Sequence, residues 1–418
     1  MDKFLVRGAA RLEGELAVSG SKNSALPALA ACLLTNDRVT LHRIPQVRDV
    51  KTMEKLLAHT GAAVEDEAGK VTIHASEVRN PEAPYDIVKT MRASSLVLGP
   101  LLARTGRARV SMPGGCAIGA RPINLHVSAL ESLGAVIEQN HGYFEATAPH
   151  GLHGSEIHFD RITVTGTEDV LMASVLATGK TIIRNAAREP EVTDLAELLT
   201  SMGARIQGAG TSVITVDGVS RLHGAEHRII PDRIEAGTFL LAGAITQGEI
   251  LVSGCVPEHI GALTVKMRQA GAEIKEESAC SLRVKCPERA NAAHIITEEY
   301  PGFATDLQAQ YMAWMAVAKG ISFVTETIFE NRFMHAPELA RMGANIRIEG
   351  RQAIVAGQTR LTGARIMGSD LRASAALVIA ALAAEGESVI DRVYHMDRGY
   401  ERLESKLNAV GAGIQRIS

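Results

Sequence analysis

Two hydrophobic patterns alternate along the chain. The first is a helical stretch that is apolar nearly all round: ALPALAACLL (25–34), LVLGPLLA (96–103) and ASAALVIAALAA (373–384). A helix without a polar face must be buried on every side. The second is strict alternation, as in VTIHA (71–75), VITVDG (213–218) and SLRVKC (281–286). Alternation predicts strands in sheets with one dry and one wet face. Helices inside and sheets outside follow from that contrast, the reverse of the usual α/β layering.

A third pattern sets the period. A leucine- or methionine-bearing helical stretch runs into Gly-Ala and then a strand, in LLAHTGAAV, LESLGAVI, LTSMGARI, MRQAGAEI, LARMGANI and LNAVGAGI. The glycines are Gly61, Gly134, Gly203, Gly271, Gly343 and Gly411, spaced 73, 69, 68, 72 and 68 residues apart. A glycine there closes a helix in the left-handed conformation. From the second copy on, the apolar helix is expected to end at Gly106, Gly179, Gly248, Gly320 and Gly386. The unit is longer than the roughly 20–50 residues of a thin solenoid repeat. Six units in 418 residues predict an α/β protein of two domains, three similar βα units each. The boundary falls at Arg228–Pro231 in HRIIPDRIEAGT, with a short connection. A cleft between two such domains is the expected place for a small ligand.

Composition narrows the function. The formal charge is −3, so no global basic field is present for nucleic acid or an anionic membrane, and any anion site must be local. The start, MDKFLVRGAARLEG, lacks the apolar core of a signal peptide, and the longest apolar run is too short to span a bilayer. A cytoplasmic setting is expected. The five cysteines are scattered without a C-x-x-C pair, which argues against a disulfide framework or a zinc site.

Candidate chemistry centres on PGGCAIGARP (113–122), where Cys116 follows two glycines and precedes Arg121. A free thiol has a pKa near 8.5, and a nearby cation lowers it. Such a thiol can serve as acid, nucleophile or ligand, or be incidental. The other four cysteines read as small apolar residues in helix or strand. SGSKNSALP (19–27) puts Lys22 and Asn23 at the start of a buried helix, which suits an anion or simply a solvated lysine. It is not a P-loop, because the lysine does not directly follow the glycine. Arg92, then Asp232, Arg233 and Glu235, then Asp370 and Arg372 stand at the mouths of other apolar helices, where capping and surface pairing are the plain alternatives. Asp306 in DLQAQ reads as an N-cap or as a general base. Asp397 with Arg398, and Glu330, Asn331 and Arg332, fall at loop-to-helix junctions.

Taken together, SGSKNSALP, PGGCAIGARPINLH, NAAREPEVTDLAELL, PDRIEAGTF, FATDLQAQ, TIFENRFMHAPELARMGA and HMDRGYERLESKLNAVGA resemble the enolpyruvyl transferase family, in particular its UDP-N-acetylglucosamine 1-carboxyvinyltransferases. The resemblance runs end to end. It implies a two-domain inside-out α/β barrel in which the N-terminal strand crosses back, so that residues 20–229 form one domain and 1–19 with 230–418 the other. It implies transfer of the enolpyruvyl group of phosphoenolpyruvate to the 3-hydroxyl of UDP-N-acetylglucosamine, by addition and elimination, as the first committed step of peptidoglycan synthesis.

By the same resemblance Cys116 is the general acid and the thiol alkylated by fosfomycin, and Asp306 the base. Lys22, Arg121 and Arg398 gather around phosphoenolpyruvate, with Arg92, Asn23, Asp370 and Arg372 at other site positions. Arg121, Pro122, Ile123, Asn124, Leu125 and His126, with Thr163, Val164, Thr165 and Ile328, hold the uridine nucleotide and sugar. No cofactor, metal or nucleic acid is implied, and a monomer is expected. This chain has Asn124 where many members carry Asp, TVTGT (163–167) where many read SVGAT, and Ala304 where proline is frequent. The alternatives are a 5-enolpyruvylshikimate-3-phosphate synthase, which usually carries a GSKS-type motif, and a catalytically silent repeat protein.

Overall fold

The computed structural model describes residues 2–112 and 123–418. Two compact units emerge: residues 20–112 with 123–230, and residues 2–19 with 231–418. Among the described residues the strands form six four-stranded sheets, three in each unit. All six follow one plan. In one of them Glu156–His158 lies parallel to Lys180–Arg184, which is antiparallel to Val213–Asp217, which is antiparallel to Arg205–Gln207. Pairing stops at the sheet edges, so each unit is three separate sheets around a helical centre and not one continuous hydrogen-bonded ring. The expected alternation holds: in Lys70–His74, Val71 and Ile73 are fully buried and their neighbours are not.

Two strands come from far away in sequence. β1 (Lys3–Arg7) lies between Glu387–Asp391 and Gly413–Ile417, antiparallel to both, and buries Phe4 and Val6 completely. β2 (Glu13–Ala17) is the parallel edge partner of Glu249–Ser253. In the other unit the corresponding edge strand is Glu226–Arg228, parallel to Arg38–His42.

The apolar helices occupy the middle of each unit. They are α1 (Lys22–Ala31), α2 (Leu98–Thr105) and α3 (Val164–Ser174) in the 20–230 unit, and α4 (Arg233–Ile245), α5 (Gln308–Met315) and α6 (Leu371–Ala383) in the other. α4, α5 and α6 pack on one another, and every residue of α5 is buried. Side chains cap four of these helices: Ser21, Thr163, Asp232 and Asp370 accept from backbone N–H groups of the first turn. α2 and α3 approach so closely that a Cβ on Gly99 would stand 2.4 Å from the carbonyl oxygen of Asp169.

The six Gly-Ala glycines all adopt left-handed φ, from 94° to 107°, at the ends of the outer helices. In the second series Gly106 ends its apolar helix as expected, whereas Gly179, Gly320 and Gly386 keep a left-handed φ but lie beyond helices that end at Ser174, Met315 and Ala383, and Gly248 has no left-handed φ. There Gln247 takes the left-handed position with φ 52°. Gly248 is needed for a different reason: a Cβ on it would lie 2.1 Å from the carbonyl of Leu12, the residue before β2. The cysteine expectation also needs one correction. Cys32, Cys255 and Cys286 are buried, whereas Cys280 is exposed in the turn between Glu273–Ser278 and Ser281–Lys285. No described helix is long and apolar enough to cross a membrane.

One staple secures the far end of α5. Arg289 donates from Nε to the carbonyl of Val317 (2.6 Å) and from Nη2 to those of Ala318 (2.7 Å), Gln358 (2.7 Å) and Gly357 (3.2 Å). Two of these acceptors follow the C-terminus of α5, where carbonyls lack intrahelical partners.

Candidate active site

In the unit that contains α4, α5 and α6, charge converges on Asp306. Its residue lies inside the 3₁₀ turn Thr305–Leu307 that leads into α5, and it does not cap the helix. Its Oδ1 accepts from Nη2 of Arg332 at 2.8 Å, and its Oδ2 accepts from Nε of Arg372 at 3.2 Å, with Nη2 of Arg372 in ion-pair contact at 3.1 Å. Both arginine side chains are buried while the carboxylate is 28% exposed. The carboxylate therefore faces outward from a cationic floor.

Arg372 is fixed from several directions. The Asp370 carboxylate accepts from the backbone N–H of Arg372 (2.9 Å) and Ala373 (3.1 Å), so Asp370 is indeed a cap. The guanidinium stands 5.2 Å from the centre of the Tyr400 ring. Burial opposes its charge, and Tyr400, Asp306 and Asp232 outweigh burial and raise its pKa. Beneath it the Tyr400 hydroxyl meets Thr238 Oγ1 at 2.9 Å and accepts from Gln310 Nε2 at 3.2 Å, joining α4 to α5. Near Arg332, His335 is fully buried, and its Nε2 has no hydrogen-bond partner among the described residues. Burial pushes its pKa down to about 4, with Arg332 acting in the same direction and Asp370 against it. Arg398 closes the 3₁₀ turn Val393–Arg398 and is half-buried. Its neighbour Asp397 pairs with Arg416 at 2.7 Å. Ile328 is half-buried on the segment between Thr325 and Arg332.

The 20–230 unit carries the second set. Lys22 and Asn23 begin α1, and Lys22 Nζ lies 3.5 Å from Asp49 Oδ2. His126 is buried, with Nδ1 3.1 Å from Asp169 Oδ2 and Nε2 3.1 Å from Thr165 Oγ1. Asp169 Oδ1 accepts from the Gly99 N–H at 2.7 Å. Thr163 caps α3, which Val164 opens, so the divergent TVTGT stretch supplies a cap and an imidazole partner. Ile123 is buried, Asn124 is exposed at the first position of the outer helix Asn124–Ser132, and Leu125 is half-buried. Within α3, burial pushes the Glu168 carboxyl well up, and Glu191, Glu189 and Asp169 add to the shift. Cys116, Arg121 and Pro122 lie outside the described residues, as does the side chain of Arg92.

Two residues gain importance from the structure. Arg332 reads in sequence as a loop-to-helix junction, yet it forms one side of the Asp306 pair. Glu326 carries no signal beyond its place after a strand, and its buried carboxylate accepts four hydrogen bonds around the same turn. Among the described residues no group of three or more His, Cys, Asp or Glu side chains is arranged to hold a metal.

The family model described as EPSP synthase (3-phosphoshikimate 1-carboxyvinyltransferase) matches residues 6–407. Three curated relatives, each named UDP-N-acetylglucosamine 1-carboxyvinyltransferase, align with the whole chain. That of Solibacter usitatus is 65% identical and fully covered, that of Acidobacterium capsulatum is 60% identical with 96% covered, and that of Koribacter versatilis is 59% identical with 97% covered. Among solved structures, the enolpyruvyl transferase NikO from Streptomyces tendae superposes with a TM-score of 0.89 at 23% identity, covering 100% of this chain and 99% of its own. An EPSP synthase from Acinetobacter baumannii does so with 0.79 at 18% identity over all of both chains. These two establish the fold, which is that of the enolpyruvyl transferases. With relatives this similar over its full length, the chain belongs to the UDP-N-acetylglucosamine 1-carboxyvinyltransferase family.

Proposed function

We propose that this chain is an enzyme that moves the enolpyruvyl group of phosphoenolpyruvate onto the 3-hydroxyl of UDP-N-acetylglucosamine and releases phosphate, the first committed step of peptidoglycan synthesis. The observation that carries the reading is the 59–65% identity to three full-length relatives of that name. The Asp306–Arg332–Arg372 arrangement supports it chemically.

In the addition step the sugar oxygen bonds to C2 of phosphoenolpyruvate. Asp306 takes the hydroxyl proton, and Cys116 delivers a proton to the methylene carbon. In the elimination step the C2–O bond to phosphate breaks and the new methyl group returns a proton. No electrons are gained or lost, so the reaction needs no redox cofactor. Phosphoenolpyruvate is strongly anionic, and Lys22, Arg92, Arg121 and Arg398 supply opposing charge, with Asn23, Asp370 and Arg372 completing that end of the site. Residues 121–126, Thr163, Val164, Thr165 and Ile328 hold the nucleotide and sugar. The partly exposed Asp306 carboxylate on two buried guanidiniums fits a group that must meet a substrate hydroxyl. We further assign the domains to residues 20–229 and 1–19 with 230–418, and the enzyme to the cytoplasm as a monomer.

The test is phosphate release from phosphoenolpyruvate with UDP-N-acetylglucosamine beside shikimate 3-phosphate. Turnover with the nucleotide sugar alone is expected, and turnover with shikimate 3-phosphate alone refutes the reading. Fosfomycin should label Cys116, and Cys116→Ala should abolish turnover; a fully active Cys116→Ala variant removes the thiol from the mechanism.

A further inference from the structure

The carboxylate of Glu326 follows the strand Ile321–Thr325 and is only 1% exposed. Its Oε1 accepts from the Thr297 hydroxyl (2.9 Å) and from the backbone N–H groups of Ile328 (2.9 Å) and Phe329 (3.1 Å). Its Oε2 accepts from the Thr305 hydroxyl at 2.9 Å. The Glu326 N–H is itself tied to the carbonyl of Arg351 at 2.8 Å. One side chain therefore joins three segments of chain: the strand end at Thr297, the turn holding Asp306, and the loop from Ile328 to Arg332.

The number of donors selects the residue type. A carboxylate offers about four lone-pair sites and no donor. An amide in the same place would turn an NH₂ toward at least one hydroxyl and lose acceptors. Hydrogen bonds to a charged acceptor are shorter and roughly twice as strong as neutral ones. The clamp also acts on both sides of the Asp306 pair. Thr305 immediately precedes Asp306, and Arg332, which holds Asp306 Oδ1, lies six residues after Glu326 on the clamped loop. A loosened clamp would let carboxylate and guanidinium shift against each other.

We propose that Glu326 is a positioning residue for the transfer reaction, acting through Thr305 on Asp306 and through the 328–329 backbone on Ile328 and Arg332. This role rests on the reaction assigned above. Displacing a reacting group by about 1 Å can cost roughly a hundredfold in rate, so loss of one anchor should cost less.

The experiment compares Thr305→Val, Thr305→Ser and Glu326→Gln with the unaltered enzyme, measuring kcat, the KM of each substrate and Tm. Valine keeps the shape of threonine without its hydroxyl; serine keeps the hydroxyl without the methyl. Thr305→Val should lower kcat about tenfold with both KM values within about twofold and Tm nearly unchanged, and Thr305→Ser should restore kcat. Glu326→Gln should lower kcat at least as far and also raise the KM for UDP-N-acetylglucosamine, because Ile328 is released with it. If Glu326→Gln does not fold, the threonine pair decides alone. Wild-type kcat in Thr305→Val overturns the role, as does an equal loss in Thr305→Ser, since the bond survives there. An unaltered enzyme with no turnover refutes the assigned reaction and takes this role with it, whereas wild-type turnover with insensitive variants refutes the role alone.

Discussion

Replacing Arg289 by methionine isolates one polar staple and predicts a measurable loss of stability. Methionine keeps much of the apolar stem and removes the guanidinium, so four carbonyls lose their donor: Val317, Ala318, Gly357 and Gln358. A buried hydrogen bond to a charged group contributes about 1.5–3 kcal/mol. Arg289 is half-buried, so water replaces part of the lost bonding, and the four contacts together come to roughly 3 kcal/mol. In a folding unit of about 200 residues, 1 kcal/mol moves Tm by roughly 2–4 °C, so a fall of about 6–12 °C is expected. Arg289→Lys should fall between the two, because an ammonium cannot present the same fork. The assay is differential scanning calorimetry at several scan rates, with turnover at 25 °C as a control for the folded state. A Tm within about 2 °C of the unaltered protein would refute the reasoning, because it would mean that solvent serves these carbonyls as well as the guanidinium does.

Three further outcomes follow from the site. His335 is neutral in the folded protein, its pKa depressed from 6.5 to about 4. The unfolded chain therefore takes up a proton first as pH falls, and stability present above pH 6.5 should be lost between about 6.5 and 4, by roughly 3 kcal/mol. His335→Gln should flatten that limb in denaturant titrations at several pH values; an unchanged slope refutes the assignment. Gly99→Ala places a methyl against the Asp169 carbonyl, so overpacking should cost about 1–3 kcal/mol and weaken UDP-N-acetylglucosamine binding through the Asp169–His126 contact; calorimetric binding equal to wild type would refute the second part. Tyr400→Phe keeps the ring beside Arg372 but removes the hydroxyl shared with Thr238 and Gln310, so Tm should fall by the equivalent of about 1–2 kcal/mol while kcat changes little. A large kcat loss at unchanged Tm would show that the hydroxyl serves chemistry instead.

Much of the architecture is legible because its causes are local. All-apolar helices, alternating strands and the six Gly-Ala stops each follow from short-range patterning, and the structure keeps all three. Gly248 shows the limit: the residue is required, but by the approach of Leu12, more than two hundred positions away in sequence. The site divides in the same way. Asp306 and Arg372 stand at helix mouths and are visible as charge in apolar surroundings. Arg332 and Glu326 are not, because what distinguishes them is a partner twenty or more residues away: Asp306 for one, Thr305 and Thr297 for the other. Burial of both partners occurs only once the sheet carrying Ile321–Thr325 is built, and no periodicity encodes that.

The place of β1 in its sheet has a consequence for the timing of synthesis. This strand leaves the ribosome about 380 residues ahead of the nearer of its two neighbours, Glu387–Asp391 and Gly413–Ile417. At about 5–20 residues per second the interval is roughly 20–80 seconds. Throughout it, Phe4 and Val6 travel on an unpaired strand with an affinity for any open sheet edge. Among the described residues the strands of the 20–230 unit pair only with one another, so this unit can close once Glu226–Arg228 is made, while the rest is still being synthesised. The nascent protein is thus half mature and half waiting, and the waiting half stays open until the two strands that flank β1 are made.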